Sequence, residues 1–186
     1  MALEVRMKNF VKIADGIDTT AIHQELQRNE VVWQADTARQ RDVQCQRETE
    51  SIFLRGAHRT DETIRLEDVH QSKNTALSIY FPSTMDWLKT VAHSLHGELG
   101  RAMFAKLKPN GQVYPHIDGG AYYALRHRFH LVIQSRGSLM KCDGEEIVMN
   151  EGELWAFDNK KTHEAFNESA DARIHLIFDL LIQAPL

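Results

Sequence analysis

His116 and Asp118 stand two residues apart in "YPHIDGG", so in extended chain their side chains point to the same face. One strand end can thereby offer an imidazole nitrogen and a carboxylate oxygen to a single metal ion. A third ligand has to come from elsewhere in the fold, and His163 in "FDNKKTHEAFN" is the candidate. Two histidines and one carboxylate on one side of a metal leave the opposite positions open. That arrangement suits Fe(II) that must take a cosubstrate and O2. A His-x-Asp pair is equally compatible with a surface pair or with satisfied polar groups in a core.

The run "LRHRFHLVI" poses a problem of charge. Phe129, Leu131 and Ile133 share one strand face, whereas Arg126, Arg128 and His130 share the other with Val132. The last strand-like run repeats the pattern: Ile174, Leu176 and Phe178 alternate with Arg173, His175, Ile177 and Asp179. Buried guanidinium groups need anionic partners, because desolvating a charge is expensive. Two explanations fit. The polar face of an antiparallel sheet can lie in solvent, or Arg128 and Arg173 can line a barrel interior and grip a dicarboxylate through bidentate hydrogen bonds. Arg126 could hold a substrate carboxylate or sit at a solvent edge.

These residues need a frame. From Arg101 onward, eight short β-like runs alternate with turn clusters such as Pro109-Asn110-Gly111, Asp143-Gly144 and Asn150-Glu151-Gly152. Such spacing predicts a mainly β fold, an antiparallel sandwich or barrel with the jelly roll among the candidates. Upstream, "TESIFLRG" (49–56) reads as a strand. Residues 18–29 read as a helix with Asp18 at its N-cap. A second helix starts at Ser83 with Asp86 as capping-box partner; it buries Leu88, Val91, Ala92 and Leu95, and Gly97 or Gly100 ends it. The glycines of "GGAYY" (119–123) would permit a mobile flap over the site or a tight turn. Trp155 and Phe157 are expected in the core.

The chain of 186 residues has 42% hydrophobic and 26% charged residues and a formal charge of −4. It is expected to fold as a single domain over 1–186, with N-terminal α/β support to about residue 100 and the β core over 101–182. The scattered Lys and Arg leave no footprint for nucleic acid or anionic lipid. The opening "MALEVRMKNFVKIADG" has no apolar h-region and no apolar run is long enough to span a bilayer, so a cytoplasmic protein with no membrane partner is expected. Cys45 and Cys142 read as lone thiols. Nothing in the sequence speaks to oligomeric state.

The segment "HID…HRFHLVI…CDGEEIVMNEGELWAFDNKKTHEAFNESADARIHLIFD" resembles the aspartyl/asparaginyl β-hydroxylase family. It is similar in particular to the proline-hydroxylase-like branch of the Fe(II)/2-oxoglutarate dioxygenases. The match covers about 105–182 and extends more weakly back through Trp33, Arg41 and "TESIFLRG". The resemblance implies a double-stranded β-helix, a cupin-like jelly roll, with His116, Asp118 and His163 as iron ligands. It implies that Arg128 and His130 contact 2-oxoglutarate and that Arg173 grips its far carboxylate. Gly152 and the spacing His163-x-x-x-Asn167 look like a cupin motif. The implied reaction consumes 2-oxoglutarate and O2, hydroxylates an amino-acid side chain, free or in a peptide or protein, and releases succinate and CO2. No side chain beyond the ligands is needed as a catalytic base. Animal members lack the carboxylate ligand that Asp118 supplies here, and they carry helical repeats absent from this chain, which weighs against large folded domains as substrates. Alternatives are an oxygenase of another small metabolite and a metal-binding cupin domain without turnover. The other seven histidines, His175 among them, read as surface or supporting residues.

Overall fold

The computed structural model of the chain describes residues 9–182; the first eight residues of the opening segment and the last four lie outside that range. The first half supplies β1 (Phe10–Ala14), α1 (Thr20–Arg28), α2 (Ala38–Asp42), β2 (Thr49–Ala57), β3 (Ser72–Asn74) and α3 (Pro82–Ser94). The second half supplies β4 (Gly97–Leu107), β5 (Gln112–His116), the one-turn α4 (Ala121–Ala124), β6 (His127–Gln134) and β7 (Ser138–Cys142). It closes with β8 (Glu145–Met149), β9 (Leu154–Phe157), β10 (His163–Phe166) and β11 (Arg173–Ile182). The eight strands β4–β11 are the eight expected runs.

They divide between two antiparallel sheets, one in the order β1-β9-β6-β11-β4-β2-β3 and the other β5-β10-β7-β8. Because consecutive strands repeatedly change sheet, the chain winds as a jelly roll. The two sheets close on Val113, Val132, Met140, Met149, Trp155 and Phe157. The opposite face of the large sheet presents Phe104, Phe129, Leu131, Leu176 and Phe178 to Ile22 and Leu26 of α1 and Leu88 and Ala92 of α3. Strands β6 and β11 are therefore covered on both faces, which decides the question of charge. Arg128, His130, Arg173, His175 and Asp179 are all buried, so the polar face belongs to the interior.

Local signals were displaced wherever a distant group did the same job better. The N-cap of α1 is Thr19, and Asp18 instead accepts the Thr20 N–H at 2.9 Å. Helix α3 has no local side-chain cap. The buried Glu25 of α1 accepts the N–H groups of Ser83 (2.6 Å) and Thr84 (3.0 Å) and the Thr84 hydroxyl (2.7 Å), while Asp86 pairs with Lys89. A carboxylate at a helix N-terminus satisfies orphan donors whichever element carries it. His96, at φ 51°, makes the turn after α3, and Gly97 and Gly100 lie within β4. The "GGAYY" stretch leads into α4, whose Tyr122 is fully buried. The Tyr122 hydroxyl accepts the Arg101 N–H at 2.6 Å and donates to Asp179 at 3.3 Å. Gly120 is required there, with φ +104° and the Glu67 carbonyl 2.6 Å from where a Cβ would be.

Strand β1 pairs with β9 at the edge of the large sheet, and Glu153 ties this edge down. Its carboxylate accepts from Lys12 (2.6 Å), the Asn150 N–H (2.8 Å) and the Trp155 indole N–H (2.8 Å). Burial alone would raise its pKa, but these donors outweigh it and bring the value from 4.5 to about 2. Its stabilising contribution is complete above pH 4.5 and is lost as pH falls through about 2. Glu153→Gln is expected to cost about 1–3 kcal/mol at pH 7. Urea unfolding of both proteins should show that gap narrowing at acid pH; a constant gap would exclude ionisation as its source.

Candidate metal centre and its cavity

The small sheet brings the sequence-distant candidate ligands together. His116 ends β5 and His163 opens β10, and the two are direct register partners. Their ring centroids lie 4.2 Å apart. Asp118 follows just past the strand end, its carboxylate 3.9 Å from His163 Nε2. One ligand atom from each of the three residues falls within 4.8 Å of the others, a cluster fit for one first-row metal ion with two nitrogens and one oxygen on one side.

Each member is oriented from behind. His116 Nδ1–H donates to the Tyr114 carbonyl at 2.7 Å and His163 Nδ1–H to that of Lys161 at 2.9 Å. A carbonyl only accepts, so both rings carry the proton on Nδ1 and leave the Nε2 lone pair available to a metal. Burial, and next His116, lowers the His163 pKa to about 4, leaving it in the neutral form that binds metal. Asp118 accepts Arg128 at 2.5 Å and the Asn159 amide at 3.0 Å. Burial pushes its pKa upward, but Arg128 and then His163 prevail and hold the carboxyl below its ordinary range. The Gln46 amide stands 3.3 Å from His116 Nε2.

Behind the cluster runs a narrow cavity of about 40 Å³, walled by Val113, Met140 and Phe157 and reached by His130 and Arg173. Arg128 also lines it, but its guanidinium is committed to Asp118 and, through two bonds of 2.9 and 3.1 Å, to Asp179. Arg173 differs. It is 4% exposed, and among the described residues the one hydrogen bond of its guanidinium is a long 3.4 Å contact to Ser138 Oγ. Its Nε is unpartnered, and among the described residues no carboxylate pairs with it. Burial alone pulls its pKa down to about 10. A buried cation in this state fits an incoming anion such as the far carboxylate of 2-oxoglutarate. His130 meets His175 at 3.1 Å, Nδ1 to Nδ1, with the Nε2 of each ring buried and unpartnered. Burial, then Arg173, pushes both pKa values well below the usual histidine range.

Arg126 does not join this group. Its guanidinium donates to the His70 carbonyl at 3.0 Å and lies over the Tyr122 ring, and it lines neither this cavity nor the cleft outside it. Asn167 acts as a staple, donating to the carbonyls of Lys108 and Asp171. Cys45 and Cys142 are both free. The residue missed by sequence reasoning is Arg39 on α2, which lines both the cavity and the outer cleft. The neighbouring Arg41 is exposed and paired with Asp42. The five-residue α2 offers no periodicity that could single out Arg39.

A jelly roll with an inward His–Asp–His cluster and a buried arginine beside it is the architecture of the 2-oxoglutarate–Fe(II) oxygenase class. The fold is shared with an oxidoreductase of the 2OG-Fe(II) oxygenase family from Burkholderia pseudomallei. That likeness has TM-score 0.56 and 9% identity, and it covers 85% of this chain and 78% of that one. A Pseudomonas putida prolyl-4-hydroxylase matches with TM-score 0.53 and 14% identity over 95% of this chain and 94% of that one. Within the class, the chain belongs to the aspartyl/asparaginyl β-hydroxylase family, whose sequence pattern matches residues 18–182. The mouse and human aspartyl/asparaginyl β-hydroxylases are each 26% identical to it over 99 residues, covering 53% of this chain and 13% of those proteins. No helix among the described residues is long and apolar enough to cross a membrane.

Proposed function

We propose that the chain is an Fe(II)- and 2-oxoglutarate-dependent hydroxylase of an amino-acid side chain, free or within a peptide. The observation that carries this reading is Arg173, ten residues after His163 and buried without an anion in the cavity behind the three ligands. A cupin that merely stores metal has no use for it. His116, Asp118 and His163 would hold the iron, and Arg173 would neutralise the far carboxylate of 2-oxoglutarate. When bound, iron with 2-oxoglutarate and O2 supplies the oxidising power that turns C–H into C–OH, with release of succinate and CO2. Arg128 positions Asp118 and keeps it ionised, rather than gripping the cosubstrate. Phe157, Met140 and Val113 keep water from the reacting centre.

The reading is tested by succinate release from the Fe(II)-loaded chain across free amino acids and short peptides. Succinate should form in step with a hydroxylated product. Absence of 2-oxoglutarate consumption under every condition, together with no anaerobic binding of 2-oxoglutarate, would overturn it in favour of a binding domain.

A further inference from the structure

Outside the metal cluster opens a cleft of about 570 Å³, and Arg39 stands where it meets the inner cavity. Arg39 is half-buried, and the hydrogen bond of its guanidinium is to a neutral group, the Ser51 hydroxyl at 2.9 Å. Burial, then Arg128, pulls its pKa down to about 10. The nearby carboxylates are spoken for: Asp118 and Asp179 by Arg128, and Asp42 by Arg41. Asp36 is exposed at the rim, where it accepts the Ala38 N–H. Arg101 also lines the cleft, but its guanidinium donates to the carbonyls of Leu66 and Val69; the apolar lining comes from Phe53, Met103 and Ile177 and from the exposed Val43 and Ile117.

The ion pairs beside the candidate ligands are Arg128 with Asp118 and with Asp179. Among the described residues Arg39 pairs with no carboxylate, its partner being the neutral Ser51 hydroxyl, and a guanidinium so placed at a cleft is completed by an anion.

We propose that Arg39 anchors a substrate carboxylate, so that the substrate is a compact acid with an apolar body, presented to the metal from the outer cleft. This rests on the hydroxylase reading above and narrows it. Arg126, the other arginine considered for this task, is tied to His70 and Tyr122 instead. The cleft volume suits a free amino acid or the C-terminal residue of a short peptide, and both present the same carboxylate.

The test uses the full Fe(II)-loaded chain with three sets of probes. These are free aliphatic and cyclic L-amino acids, their primary amides, and dipeptides ending in the same residues. Binding is read by calorimetry in the presence of 2-oxoglutarate without O2, and turnover by succinate release. Acids should bind at least about 30-fold more tightly than amides. Arg39→Gln should remove that preference and raise the KM for the acid by a similar factor, while the dissociation constant for 2-oxoglutarate moves less than about threefold. Arg39→Lys should restore part of the preference, keeping the charge but losing the two-pronged geometry. The dipeptide arm tells a free amino acid from a chain terminus. Amides equal to acids, no acid binding while 2-oxoglutarate binds, or an equal effect of Arg39→Gln on 2-oxoglutarate would each overturn the anchor and leave the hydroxylase reading standing. Failure of 2-oxoglutarate itself to bind would overturn both.

Discussion

Arg173→Met is expected to weaken 2-oxoglutarate binding by about a hundredfold without weakening the ligand-free fold. The loss follows from removing one partner of a buried charge pair, which costs about 2–5 kcal/mol, and about 1.4 kcal/mol corresponds to each tenfold in affinity. The second half of the expectation is less usual. Most core substitutions destabilise, but Arg173 is desolvated with one long hydrogen bond and an orphaned Nε. An apolar chain of similar length removes that desolvation penalty. Thermal unfolding without ligand should show an unchanged or higher midpoint, and adding 2-oxoglutarate should raise the midpoint of the parent far more than that of the variant. A ligand-free midpoint well below the parent's, with 2-oxoglutarate affinity intact, would make Arg173 a structural residue.

His163→Ala is expected to abolish hydroxylation and to lower Fe(II) affinity by more than about a hundredfold, since even groups that only orient ligands are worth about 10–100-fold. The ring sits at the start of β10, between the His116 ring and the edge of Phe157. Its loss leaves the strand pairing of β10 with β5 and β7 in place. Circular dichroism should therefore be unchanged while metal content, measured after gel filtration, falls to background. Chelation of the parent should give the same inactive state, reversed by Fe(II). Full activity in the variant would remove His163 from the ligand set.

The jelly-roll half was legible because its signals are local. Short alternating runs punctuated by turn residues define β4–β11, and the alternation in β6 and β11 told the helix-facing side from the polar one. It could not tell whether the polar side met solvent or a cavity, because that depends on the small sheet closing over it. The His116–Asp118 pair was likewise local, whereas its union with His163 depends on β5 and β10 being paired. What escaped was carried by single residues acting across the fold. Glu25 caps a helix 58 residues away, and no capping rule written for neighbours can find it. Arg39 reaches the site from a helix too short for any period, and α4 is set by one buried phenol.

The meeting of His130 and His175 has a consequence for the cavity wall. Two like nitrogens 3.1 Å apart can share a hydrogen bond only if one ring donates and the other accepts, and neutral imidazole has one N–H to spend. When His130 gives its Nδ1 proton, its Nε2 is a bare lone pair; when it receives, Nε2 carries the hydrogen. The pair therefore has two tautomeric arrangements of equal net charge, and they give His130 Nε2 opposite polarity. The same wall atom can thus be built as an acceptor or as a donor while both rings stay neutral.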